Sequence, residues 1–153
     1  MKPENILMDE DGYVCLTDFG LAKILENNAQ AFSFCGTPDY LAPEILIEKG
    51  HSFPVDWWAL GILCYEMIVG FPPFYTGSNN NAKMYELIKK KAVYFPDPQR
   101  HNIPMSNDCK DFITKLLDKK YASRLGSNGG LQEVLAHPWF SDLDQAAMLK
   151  KEL

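Results

Sequence analysis

Two oxygen-bearing side chains define the chemistry available to this sequence. Asp18 stands in Asp18-Phe19-Gly20, and Asn5 closes Lys2-Pro3-Glu4-Asn5. An aspartate offers a hard, anionic oxygen, and a glycine two residues on lets the backbone turn so that this oxygen can face a phosphate-bound metal. Between the two lie an apolar run (Ile6-Leu7-Met8), a turn-forming run (Asp9-Glu10-Asp11-Gly12) and a second apolar run (Tyr13-Val14-Cys15-Leu16-Thr17). This pattern predicts a β-hairpin, with glycine available for positive φ in the turn. A hairpin brings its two ends together, so Asn5 and Asp18 can reach one metal ion. Mg²⁺ is commonly held by one or two protein oxygens plus the phosphates of a substrate, and this pair has that character.

The rest of the chain must position that edge. It has 153 residues, of which 46% are hydrophobic, enough for one domain with its own core. The net charge is −5 and no basic block occurs, which argues against nucleic acid as a partner. Residues 55–69 are apolar on nearly every face and predict a buried central helix, with Asp56 near its start as a candidate cap. Pro43 to Lys49 predicts a short helix closed by Gly50, and residues 79–91 a further helix with Met84, Leu87 and Ile88 inward. A third helix is predicted to open at Ser106, carrying Cys109, Phe112, Ile113, Leu116 and Leu117 at helical spacing, and a last one to span residues 131–136. Residues 26–30 are polar and aperiodic, so a mobile loop is expected. Cys15, Cys35, Cys64 and Cys109 are scattered without a C-x-x-C pair, which points to a reducing compartment, cytoplasmic or nuclear. No apolar run is long enough to span a membrane.

Asp18-Phe19-Gly20 also pairs with a second triplet, Ala42-Pro43-Glu44, across a polar middle. Either triplet alone is a weak signal. With Lys2-Pro3-Glu4-Asn5 upstream, Gly36-Thr37-Pro38-Asp39-Tyr40-Leu41-Ala42-Pro43-Glu44 and Val55-Asp56-Trp57-Trp58-Ala59-Leu60-Gly61, they make the chain resemble a eukaryotic protein kinase of the AGC serine/threonine group, similar to cyclic-nucleotide-dependent kinases. The implied fold is mainly α: the C-terminal lobe of the kinase fold, with a short β-hairpin at its N-terminus carrying the metal site. Residues 1–140 match that lobe. Residues 141–153 match the start of an AGC-type C-terminal extension.

The resemblance assigns roles residue by residue. Asn5 and Asp18 would hold Mg²⁺ on ATP, Leu7 would pack under the adenine ring, and Lys2 would stabilise the transferring phosphate. Thr37 matches a threonine that bonds the catalytic aspartate and Lys2. Ser33 matches the activating phosphosite, modified by another kinase, with Lys23 as one of its cations. Phe34, Pro38 and Leu41 would form an apolar floor for the residue after the phosphoacceptor. Glu4 and Glu66 match a pair that binds a substrate arginine, so the expected partner is a basic peptide with a hydrophobic residue after the phosphoacceptor. Leu63 and Met67, one turn apart, match an apolar column beneath adenine. Glu44 is expected to pair with Arg124 as structural support, while Asp56 would accept N–H groups of the catalytic loop.

The sequence also departs from the family pattern. Met1 stands where a leucine is usual, Asp39 replaces a more frequent glutamate, and neither the His-Arg-Asp that normally precedes Lys2 nor a glycine-rich loop is found. The chain therefore reads as truncated within the catalytic loop, and negligible kinase activity is expected of it alone. The alternative is a catalytically dead, kinase-derived module that binds substrates or regulators of an intact kinase.

Overall fold

The computed structural model describes residues 1–26, 29–77 and 80–153. The short hairpin comprises β1 (Ile6–Met8) and β2 (Val14–Leu16), antiparallel, with Ile6 opposite Leu16, Leu7 opposite Cys15 and Met8 opposite Val14. Seven α-helices follow among the described residues: α1 (Pro43–Leu46), α2 (Pro54–Val69), α3 (Asn81–Lys90), α4 (Pro98–His101), α5 (Asn107–Leu116), α6 (Gly130–Leu135) and α7 (Gln145–Lys150). The molecule is thus mainly helical with one two-stranded sheet.

Helix α2 is the axis of the core. Pro54, Trp58, Ala59, Ile62, Leu63, Cys64, Tyr65 and Val69 are all buried along it. Its main partner is α5, which buries Cys109, Phe112, Ile113 and Leu116. The two helices approach closely because Gly61 has no side chain. A Cβ there would stand 2.8 Å from a Leu117 methyl and 2.9 Å from Leu116 Cβ. Phe112 then meets His137, Trp139 and Phe140 at ring-centre distances of 5.3, 4.6 and 5.1 Å, closing the core from the C-terminal side. On the other side Trp58 stacks on Phe74 at 5.9 Å. The Lys119 ammonium lies 3.9 Å from the Phe74 ring centre and 4.7 Å from that of Trp58. It is buried and has no hydrogen-bond partner among the described residues. Desolvation, with the nearby Arg124 charge, lowers its pKa to about 7.

Several boundaries differ from the sequence expectation. Helix α1 ends at Leu46, and the left-handed residue beyond it is Glu48 (φ 54°) as well as Gly50 (φ 84°). Helix α2 starts at Pro54, whose missing N–H is harmless in the first turn. The Asp56 carboxylate makes no cap: it has no hydrogen bond among the described residues. Desolvation raises its pKa, and the Met1 ammonium acts in the opposite direction. Helix α3 begins at Asn81, with the Asn80 side chain accepting from the Lys83 N–H at 3.1 Å. Residue 79, the expected start, and residues 27 and 28 of the expected mobile loop lie outside the described residues. Helices α4 and α7 were not anticipated. Asp97 caps the first, and Asp144 caps the second by accepting from the Ala146 and Ala147 N–H groups.

Candidate functional site

The hairpin does bring its two ends together. The Thr17 N–H and hydroxyl both donate to the Asn5 carbonyl, at 2.8 and 3.2 Å. One residue further on, Asn5 Nδ2 stands 3.4 Å from Asp18 Oδ2. Asp18 has φ 60°, in the left-handed region that aspartate and asparagine enter more readily than other residues with a side chain. Its Oδ1 accepts from the Gly20 N–H at 3.2 Å, which fixes the carboxylate over the turn. The carboxylate is exposed, and both of its bonds are long. The left-handed backbone turns the carboxylate outward with most of its lone pairs open.

The donor set fits Mg²⁺ in a particular way. No cluster of three or more His, Cys, Asp or Glu side chains among the described residues forms a metal cage. What exists is one carboxylate beside one amide, whose Oδ1 would face the same point if the amide turned over. That is the sparse, all-oxygen set used when phosphates complete the coordination. Lys2 is half-buried in extended backbone just before Asn5, and its ammonium has no partner among the described residues. Leu7 and Met67 are exposed, while Leu63 is buried.

A second acidic cluster lies around Tyr40. Its hydroxyl donates to Glu66 Oε2 at 2.5 Å. Burial, the Glu66 bond and the charges of Glu66, Glu4 and Asp39 raise the Tyr40 pKa well above the usual phenol range, so the hydroxyl stays a donor. Glu4 and Glu66 therefore act on the same group, with Glu4 exposed and Glu66 half-buried. Sequence reasoning missed Tyr40. Its only signal was its place in the Gly36–Glu44 stretch, which does not reveal a partner on α2.

The residues between Lys23 and Leu41 that the sequence singled out divide. Phe34 is exposed, with its ring 6.3 Å from Tyr85 of α3 in an edge arrangement. Pro38 is half-buried, and Leu41 is buried beneath Gly36, where a Cβ would stand 3.3 Å from the Leu41 methyl. Ser33 and Lys23 are both exposed and no contact joins them. Thr37 is half-buried and its hydroxyl has no partner among the described residues. Ala31 is buried and exchanges two backbone hydrogen bonds with His51, at 2.8 and 2.9 Å, tying the stretch to the loop before α2.

Beneath this surface, Arg124 Nη1 and Nη2 donate to Glu44 Oε1 and Oε2 at 2.6 and 2.9 Å. Nη1 also donates to the Pro54 carbonyl at 2.8 Å and Nε to that of Asp118 at 3.0 Å. This bidentate pair pins the Ala42-Pro43-Glu44 end of the stretch to the first turn of α2.

Residues 1–140 match the protein kinase domain family, and the chain belongs to it. Its relatives place it with the AGC-type serine/threonine kinases. It is 45% identical over 153 residues to Protein kinase 2 of Dictyostelium discoideum, covering all of this chain and 30% of that protein. It is 44% identical over 154 residues to the serine/threonine-protein kinase sgk-1 of Caenorhabditis elegans, covering all of this chain and 32% of the relative. With the cAMP-dependent protein kinase catalytic subunit PRKX of Homo sapiens it shares 45% identity, over all of this chain and 40% of that protein. The chain thus spans less than half the length of these relatives. No helix among the described residues is long and apolar enough to cross a membrane.

Proposed function

We propose that this chain carries the metal-holding and substrate-holding half of a kinase that passes the terminal phosphoryl group of MgATP to serine or threonine hydroxyls of proteins. The observation that carries the reading is the Asn5–Asp18 pair at the open end of the hairpin, with Asp18 held in a left-handed turn. Asn5 and Asp18 would hold Mg²⁺, which would supply positive charge to offset that of the transferring phosphoryl group. Lys2 adds a positive charge beside it, and Leu7 offers an apolar face for the adenine ring. Phe34, Pro38 and Leu41 suit a hydrophobic residue after the phosphoacceptor. Glu4 and Glu66, with Asp39 nearby, suit a substrate arginine. Ser33 is the proposed activating phosphosite, with Lys23 as a cation within the same stretch, and the four free cysteines suit a cytoplasmic or nuclear setting.

Transfer also needs a base to accept the hydroxyl proton, normally the aspartate of His-Arg-Asp. The His-Arg-Asp motif does not occur in the 153-residue sequence. The test is peptide phosphorylation by the full-length product of the locus that encodes these residues. Asp18→Asn should lower transfer by roughly a hundredfold or more. An unaltered full-length protein that phosphorylates no serine or threonine substrate would overturn the reading.

A further inference from the structure

The hairpin is also held at its turn, by the far end of the chain. Asp9 uses both carboxylate oxygens. Oδ1 accepts from the Asp11 and Tyr13 N–H groups at 3.1 and 2.8 Å, which shapes the turn. Oδ2 pairs with the Lys151 ammonium, and that hydrogen bond is the main cause holding the Asp9 carboxyl below its usual range. The Lys151 ammonium also lies 5.4 Å from the centre of the Tyr13 ring. The Tyr13 hydroxyl accepts from the Leu153 N–H at 3.0 Å and donates to the Leu153 carbonyl at 3.3 Å. Lys151 takes a left-handed conformation (φ 58°), which ends α7 and redirects the last residues.

A two-stranded hairpin alone is marginally stable in water. This one has three residues per strand, and all but Ile6 of them are exposed. Its order therefore depends on what grips its two ends. The open end carries Asn5 and Asp18; the turn end is gripped by Lys151 and Leu153. The ladder between them links the two grips through the Asp9 N–H on Tyr13 and the Thr17 N–H on Asn5.

We propose that Tyr13, Asp9 and Lys151 are positioning residues: residues 144–153 strap the hairpin turn and so hold Asn5 and Asp18 in place for the metal. The second half of this statement rests on the reading of that pair as a metal site.

Hydrogen exchange and Mn²⁺ titration in the presence of ATP, followed by water-proton relaxation, both on the 153-residue chain, test the two halves separately. Lys151→Ala and Tyr13→Phe should each speed exchange of the Asp9 and Thr17 amides by roughly threefold to fivefold at low salt, without altering amides of α2 and α5. Lys151→Arg should restore protection. About 0.5 M salt should bring the unaltered chain close to the Lys151→Ala rate, because an exposed ion pair is screened. Mn²⁺ affinity should fall by a similar factor in Lys151→Ala and recover in Lys151→Arg. Unchanged Thr17 exchange in both loss variants would overturn the strap. Faster exchange with unchanged Mn²⁺ affinity would overturn the positioning role. Absence of Mn²⁺ binding to the unaltered chain with ATP present to supply the phosphate oxygens would overturn the metal reading, and positioning with it, while exchange still decides the strap.

Discussion

Arg124 and Asp18 show two opposite treatments of charge in one small domain. Arg124 is fully buried, and its guanidinium has four hydrogen bonds shared among Glu44, Pro54 and Asp118. Asp18 is exposed, held by one backbone N–H and one long amide contact. The first charge is sealed from solvent with four of its five N–H donors in use, and it fixes the scaffold. The second keeps most of its lone pairs open. The apolar residues divide in the same way: Trp58, Ile62, Phe112, Ile113 and Leu116 are sealed, whereas Leu7, Met8, Val14, Leu16, Phe19 and Leu21 face out. Stability resides in the α2–α5 core, and the hairpin edge with Asn5 and Asp18 is carried on it by hydrogen bonds with little burial.

The strongest challenge to this division is Arg124→Ala. It strands the Glu44 carboxylate in the core, and unfolding by urea should show a loss of about 3–5 kcal/mol. Lys119→Met should have a smaller effect, of opposite sign. The folded-state pKa of Lys119 is lowered to about 7, so between pH 7 and its ordinary value near 10.5 the unfolded chain binds the extra proton. Stability should rise with pH across that window and lose this contribution as pH falls through 7. Lys119→Met should flatten the slope and raise the melting temperature at neutral pH, with Arg124, Asp118 and the two rings left in place. Smallest of all should be Leu7→Ser. Leu7 is 54% exposed, so a change in stability within about 0.5 kcal/mol is expected. A much larger loss would show that the hairpin belongs to the core after all.

The same division explains what was legible in the sequence. The hairpin could be read because Asp9 to Gly12 is a strong turn between two apolar runs. Helix α2 could be read because it is apolar on nearly every face, and α5 because its apolar residues recur at helical spacing. Helix α7 was missed because six residues carry too little periodicity, although Asp144 ahead of Gln145-Ala146-Ala147 was a capping signal. Helix α1 was drawn too long because Gly50 looked like its stop, whereas the chain leaves the helix earlier and Glu48 accepts positive φ. Asp56 was expected to cap a helix whose opening is already served by Pro54. Within the candidate site, local motifs placed Asn5 and Asp18 at neighbouring hairpin ends. The Tyr40–Glu66 bond and the grip of Lys151 on Asp9 join residues distant in sequence, and no local pattern encodes them.

The Ala31–His51 bridge has a consequence for the entropy of ordering the residues around Ser33. Loop entropy grows with the length of chain between fixed points. The bridge makes residue 31 such a point and divides one long loop into two shorter arcs. Ser33 falls in the second arc, between Ala31 and the anchored Leu41, and Lys23 in the first. A charge added at Ser33 therefore has only a short arc to order, and what that ordering costs in entropy is set by the bridge, independently of the residues between Asp18 and Ala31.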